Sequence, residues 1–220
     1  MVIHVALVDD QPLFRSGLRM LIDSQDDLDV VGEAGDGAAA VPLVETAKPD
    51  VVLMDIRMPN VDGIAATERI MAEAERARRT PPRILVLTTF DLDEGAARAI
   101  RAGASGFVLK DAEPEFLLAA IRTVHAGTAV IAPSATRELF EHFGGRASPG
   151  AADGHLGTLS DREREIFLLA ARGLSNSEIA SAEYVSEATV KTHISRILAK
   201  LALRDRVQLV VFAHENRLLG

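Results

Sequence analysis

Cysteine is absent from this 220-residue chain, so it has no disulfide framework, no thiolate zinc site and no cysteine nucleophile. That absence fits a reducing, cytoplasmic setting. Aromatic side chains are scarce: Trp is missing, Tyr184 is the single tyrosine, and the core must come from Val, Ile, Leu and Ala. No apolar run reaches the roughly 18 residues a membrane span requires, so no membrane contact is expected. The opening MVIHVALVDD is too short an apolar run for a signal peptide, and two acids follow it. Strong positive charge is also lacking. The net charge is −8, which argues against nucleic-acid binding until it is divided along the chain. Residues 1–126 account for −8, residues 127–157 for −1 and residues 158–220 for +1. The last region is nearly neutral, so any DNA-binding role depends on where its cations lie rather than on their excess.

The first half alternates short β-branched runs with amphipathic stretches. Residues Ile3–Val8, Val30–Gly32, Val51–Met54, Ile84–Thr88 and Gly106–Leu109 read as strands. Between and after them, Pro12–Ser24, Gly37–Lys48, Gly63–Ala77, Asp93–Gly103 and Pro114–Ala126 read as helices. Strands that are apolar throughout suit a sheet covered on both faces, and the βα alternation implies a doubly wound, five-stranded parallel sheet. Pro42 falls inside the second helix, which predicts a kink there or a later start. Pro133–Phe143 is compatible with a short helix, and the small, Gly-rich stretch 144–154 reads as a linker. The expected organisation is an α/β domain at 1–126, a linker with a short helix at 127–157 and an all-α domain at 158–220.

In that last region Ser160 and Glu163 form a capping box for a helix to Arg172, with Gly173 as its C-cap. Further helices are expected from Ser175 to Ala182, from Ser186 to Leu201 and from Asp205 to Asn216. They make a small four-helix bundle.

Chemistry concentrates at the predicted strand ends. Asp9 and Asp10 follow the first strand, Asp55 the third, Thr88 ends the fourth and Lys110 follows the fifth. Taken singly, an Asp there caps a helix or turns a loop, and a Lys is solvated. Taken together, they fall on the sheet edge where α/β folds bind ligands. Crowded carboxylates repel by about 4 kcal/mol per pair at 4 Å and an effective dielectric of 20. A hard cation such as Mg²⁺ relieves that repulsion, after which an aspartate oxygen is placed to attack a phosphoryl group in line.

Asp9-Asp10, Val51–Pro59, Asp62-Gly63, Thr88 and Gly103–Lys110 together resemble the receiver domain of two-component response regulators, a flavodoxin-like fold. The resemblance implies that Asp55 is the phosphoacceptor, taking its group from a sensor histidine kinase. It implies a Mg²⁺ site from Asp10, Asp55 and the Arg57 carbonyl, with Asp9 supporting the metal's waters. It also implies that Lys110 pairs with the phosphoryl group and that Thr88 and Phe107 form a switch, the Phe107 ring turning inward. Without the family, Phe107 reads as a core aromatic. Asp111 follows Lys110 where receivers more often carry Pro.

At about 100° per residue, Val190, Ile194, Ile197, Leu198 and Leu201 form one apolar stripe. Thr192, Ser195, Arg196 and Ala199 lie opposite, flanked by Lys191 and Lys200. Such a face is either solvated or able to read a DNA groove. Leu159–Glu165, Gly173–Ala180 and Val185–Ile194 resemble the helix-turn-helix of NarL/LuxR-type regulators. By that resemblance the helix from Ser186 reads double-stranded DNA. Lys191, Thr192 and Ser195 face base edges, and Thr189, Arg196 and Lys200 lie nearer phosphates. Val207 and Val211 supply the contact of a homodimer on DNA. Two departures from that pattern are Glu183, where a buried Leu is usual, and Ala202, where Gly is usual. The first requires a partner or solvent, and the second implies strain in a left-handed C-cap. The whole implies a phosphorylation-dependent transcription regulator rather than an enzyme.

Two other readings fit less of the chain. A haloacid-dehalogenase-like phosphatase needs a second acid two residues after its nucleophile, where Arg57 stands, and leaves the helical region without a purpose. A receiver that is never phosphorylated leaves the complete set Asp9, Asp10, Asp55, Thr88 and Lys110 without one.

Overall fold

A computed structural model describes residues 2–88, 94–127, 156–216 and 218–219. The chain divides into two compact units between Ala135 and Thr136. The expected helix at Pro133–Phe143 and the stretch 144–154 lie outside the described residues.

The first unit runs β1 (Ile3–Val8), α1 (Pro12–Asp23), β2 (Leu28–Ala34), α2 (Gly37–Ala47), β3 (Val51–Asp55), α3 (Gly63–Arg76), β4 (Arg83–Thr88), α4 (Glu94–Ala102), β5 (Gly106–Leu109) and α5 (Pro114–His125). Its five strands are parallel in the order β2-β1-β3-β4-β5, the doubly wound sheet expected from the alternation. β3 is buried along its whole length, as helices on both faces require. β2 is longer than the predicted Val30–Gly32. It pairs with β1 from Leu28 to Ala34, and exposed Asp29 and Glu33 punctuate its buried residues. As an edge strand it meets solvent, so its flanks are polar and an apolar-run criterion misses them.

Helix starts follow their caps. Asp36 Oδ1 accepts the N–H of Ala39 at 2.8 Å, and Asp62 Oδ1 accepts that of Ala65 at 2.7 Å. Pro12 and Pro114 occupy first turns, where a missing N–H costs nothing. The later start considered for α2 is not taken: the helix begins at Gly37 and runs through Pro42.

The second unit contains α6 (Asp161–Ala171), α7 (Asn176–Ala182), α8 (Glu187–Lys200) and α9 (Arg206–Glu215). Ser160 with Glu163 and Ser175 with Glu178 both form complete capping boxes. Gly173 ends α6 at φ +89°, a backbone that favours glycine. A core of Ile166, Phe167, Ile179, Val190, Ile194 and Ile197 joins the helices.

Ala202 follows α8 at φ +53°, and its neighbour Leu203 donates its N–H back to the Leu198 carbonyl at 2.8 Å. The left-handed cap therefore forms without the glycine that suits it, at a cost of about 1–2 kcal/mol. Ala202→Gly is expected to stabilise this unit by about 1 kcal/mol. The measurement is hydrogen exchange of α8 amides in the intact chain, with protection rising about fivefold. Unchanged protection would mean that the strain is relieved elsewhere.

Glu183, the other departure, finds a partner. Arg162 on α6 donates Nη1 to its carboxylate, and Nη2 to its backbone carbonyl at 2.9 Å. A charge in place of the usual apolar group is thus matched by a cation that reaches both its carboxylate and its backbone.

Candidate functional site

The switch in strand order lies between β1 and β3, with β2 on one side and β4 on the other. Crevices outside strand C-termini at such a point bind ligands. Asp9 emerges from β1, and Asp55 is the last residue of β3. Lys110 follows β5, its N–H donating to the Thr88 carbonyl at 2.7 Å, which levels the ends of β4 and β5.

These residues converge. One carboxylate oxygen from each of Asp9, Asp10 and Asp55 lies within 4.8 Å of the other two. Lys110 Nζ reaches Asp9 Oδ2 at 2.6 Å and Asp55 Oδ2 at 2.8 Å. Asp9 is 1% exposed and Asp55 is 4% exposed, whereas Asp10 is open to solvent. Burial pushes the Asp55 carboxyl above its ordinary range, and the hydrogen bond and charge of Lys110 pull it partly back. For Lys110, burial pulls down, but hydrogen bonds to Asp55 and Asp9 outweigh it and hold the ammonium above its ordinary value. Two carboxylates and one ammonium leave the buried cluster one negative charge in excess, and Asp10 adds another at its mouth. An all-oxygen donor set with that excess fits a hard divalent cation.

Asp111 does not displace Lys110. The turn closes with the Ala112 N–H on the Leu109 carbonyl at 3.1 Å, and the lysine still spans both aspartates. Thr88 and Phe107 are both buried, at 8% and 2% exposure. Arg57 places its N–H on Asp55 Oδ1 at 3.2 Å.

Three residues contribute to the pocket in ways that the sequence does not show. Phe14 puts its ring 4.8 Å from Lys110 Nζ, a cation–π contact that also keeps the ammonium dry. Arg15 donates to the Asp9 carbonyl at 2.6 Å. Gly63 permits a close approach: a Cβ there would lie 1.9 Å from the Asp55 carbonyl oxygen. Only Gly63 left a usable signal, as the glycine after the capping Asp62.

In the second unit, Lys191, Thr192, Ser195 and Arg196 are exposed on one side of α8, and no described side chain pairs with Lys191, Ser195 or Arg196. Thr192 hydrogen-bonds its hydroxyl to the Ala188 carbonyl at 2.9 Å. Thr189 is half-buried, its hydroxyl 2.8 Å from that of Ser186. Lys200 is not free: its ammonium lies 2.6 Å from Glu163 Oε2. That bond, with the Ser160 N–H, depresses the Glu163 carboxyl to about 2. Arg206 anchors the start of α7, donating to Asn176 Oδ1 at 2.8 Å and to the Leu174 carbonyl. Burial lowers this guanidinium to about 10.

Val207 and Val211, expected at a dimer contact, are 1% and 6% exposed. Burial of a valine is worth about 1.5–3 kcal/mol.

The bacterial luxR-family regulatory-protein model matches residues 157–213, and the response regulator receiver domain model matches residues 5–122. The chain therefore belongs to the response regulators, pairing a receiver domain with a LuxR-type DNA-binding domain. It is 44% identical over 215 residues to an uncharacterized transcriptional regulatory protein, YxjL, of Bacillus subtilis strain 168, covering 97% of this chain and 96% of that one. It is 35% identical to the nitrate/nitrite response regulator protein NarL of Escherichia coli K12, again covering 97% and 96%. Among solved structures it is similar to ChrA, a response regulator in a heme-sensing two-component system. That match has 37% identity, a TM-score of 0.52, and coverage of 99% of this chain and 98% of that one.

Proposed function

We propose that Asp55 accepts a phosphoryl group from a sensor histidine kinase and that this modification governs DNA binding by α8. The organisation is a receiver at 1–126, a linker at 127–157 and a DNA-binding domain at 158–220, acting in the cytoplasm as a non-enzymatic regulator. The observation that carries the reading is the convergence of the Asp9, Asp10 and Asp55 oxygens within 4.8 Å, spanned by Lys110.

Asp10, Asp55 and the Arg57 carbonyl would hold Mg²⁺, with Asp9 orienting its waters. When bound, the ion supplies positive charge that shields the aspartates from an incoming phosphoryl group. An oxygen of Asp55 forms the new P–O bond as the donor's P–N bond breaks, and the imidazole nitrogen leaves with the electron pair and takes a proton. Lys110 then exchanges its contact with Asp55 for a phosphoryl oxygen, and the Thr88 hydroxyl donates to another. Thr88 and Phe107, both buried on neighbouring strands, relay the change as a shift between two conformations.

On α8, exposed Lys191, Thr192 and Ser195 would meet base edges in double-stranded DNA, and Arg196 and Thr189 the phosphates. Lys200 reaches a phosphate only in competition with Glu163. A homodimer on DNA that uses Val207 and Val211 requires α9 to lose their present cover, and phosphorylation is the proposed trigger.

The test uses the intact chain with Mg²⁺ and a small acyl phosphate. Peptide mass mapping should find one phosphoryl group on Asp55, and affinity for genomic DNA fragments selected by the phosphorylated chain should rise with the phosphodonor. Equal affinity with and without it would overturn control by phosphate. Lys191→Ala should weaken binding to the same fragments about tenfold, or roughly 1.4 kcal/mol. Affinity within twofold of the parent would remove Lys191 from the interface.

A further inference from the structure

Arg15 lies in the first turn of α1 and joins two parts of the sheet edge. Its Nη1 donates to the carbonyl oxygen of Asp9 at 2.6 Å, and its Nε donates to Glu33 Oε2 on β2 at 3.0 Å. The other oxygen of Glu33 accepts from Arg19 Nε at 2.5 Å. Two guanidinium groups from one helix therefore grip one carboxylate. Their hydrogen bonds, Arg19 first and then Arg15, hold Glu33 below the usual carboxylate range.

The oxygen that Arg15 holds belongs to the peptide linking Asp9 to Asp10. A peptide unit is planar, so fixing that oxygen also fixes the nitrogen and Cα of Asp10. Asp9 is held at its N–H and Oδ1 by hydrogen bonds and at Oδ2 by an ion pair. Its N–H goes to the Ala34 carbonyl at 3.1 Å, Oδ1 accepts the Gln11 N–H at 2.9 Å, and Oδ2 meets Lys110 at 2.6 Å. Asp10 is different, because no described side chain holds its carboxylate, which is less buried than those of Asp9 and Asp55. Its direction depends on the backbone beneath it.

We infer that Arg15, braced by Glu33, is a positioning residue for the divalent-cation pocket, locking the Asp9–Asp10 peptide so that the Asp10 oxygen stays within reach of a cation shared with Asp9 and Asp55. This rests on reading the acidic cluster as a cation pocket. Groups one step behind metal ligands commonly change metal affinity by about 10- to 100-fold when removed. A lysine at this position has one ammonium and no planar fork, so it cannot reproduce both contacts in one geometry.

The test is Mn²⁺ binding to the intact chain followed by electron paramagnetic resonance, with unfolding midpoints measured beside it. Arg15→Ala is expected to raise the Mn²⁺ dissociation constant about tenfold. Arg15→Lys should recover no more than twofold of that loss. Glu33→Gln, which keeps the shape of the brace and folds if the alanine variant does not, should lose about threefold. A lowered midpoint with Mn²⁺ affinity within twofold of the parent would make Arg15 purely structural and overturn the inference. Full rescue by Arg15→Lys would overturn it too, by showing an effect of charge rather than of the fork. A parent chain that binds no Mn²⁺ sinks the cation pocket and this inference with it. A parent that binds, beside an Arg15→Ala variant that binds equally, sinks the role of Arg15 alone.

Discussion

Asp55→Asn is expected to lose nearly all uptake of a phosphoryl group from a small acyl phosphate in Mg²⁺, under conditions in which the parent chain is expected to become labelled. The amide nearly matches the carboxylate in shape, and its oxygen still accepts the Arg57 N–H that now lies 3.2 Å from Oδ1. What disappears is the proposed nucleophile: an amide oxygen carries no full charge, and the adduct it would form is not an acyl phosphate. The pocket also loses one of its negative charges and with it part of its hold on a cation. The fold itself should gain, because the group is 4% exposed and its burial opposes ionisation. Labelling is expected to fall by at least about 100-fold, or some 2.7 kcal/mol of barrier at 1.36 kcal/mol per factor of ten. Intact-mass measurement checks it. Labelling of the variant at the parent's rate would place the acceptor elsewhere.

Lys110→Met is the second large effect, and it falls on stability. In the parent, one ammonium lies against two buried carboxylates at 2.6 and 2.8 Å. Methionine fills much the same volume and leaves those carboxylates facing each other without a cation. Breaking a buried pair in this way costs about 3–5 kcal/mol. The sign of the pH dependence follows from Asp55. Burial already raises its carboxyl above the ordinary 3.8, and Lys110 is what restrains the rise. Without that restraint the folded-state value climbs further above the unfolded one. A carboxyl raised on folding favours the fold below its unfolded range and costs stability as pH rises through the folded value. The deficit of the variant should therefore be greatest at neutral pH and shrink on acidification towards the carboxyl range. Mg²⁺ should restore part of it, since a ligand that binds only the folded state stabilises that state. Urea unfolding across pH, with and without Mg²⁺, measures both. A deficit that stays the same as pH falls would mean that lost packing, not uncompensated charge, is responsible.

Much of this was legible in the residues. Strand interiors buried on both faces must be apolar, so β1, β3, β4 and β5 stand out as runs of Val, Ile and Leu. Caps are local chemistry, and Ser160, Ser175 and Ser186 announced their helices because a side-chain oxygen and an N–H three residues later need nothing from the rest of the fold. β2 was drawn short because an edge strand mixes exposed acids with its buried residues. Pro42 pointed to a kink or a later start, and α2 begins at Gly37 with Pro42 inside it.

The acidic pocket was legible for a topological reason. Strands of a parallel sheet all point one way, so acids at their C-termini share an edge once the order is set. Periodicity placed Lys191, Thr192, Ser195 and Arg196 on one exposed face of α8, but it could not show that Glu163, 37 residues earlier, had already engaged Lys200. Nor could it show that Arg162 reaches Glu183, or that Val207 and Val211 are buried.

The sequence by itself determined the order of elements, their caps, and which residues carry charge at the strand ends, since each depends on neighbours a few positions away or on strand direction alone. Only the tertiary structure decided the rest: the distances between the three carboxylates, the grip of Arg15 on the Asp9–Asp10 peptide, the cation found by Glu183 and the burial of Val207 and Val211. Those pairings join residues far apart in the chain, and side-chain chemistry says which partners are acceptable without saying which the fold will bring within reach.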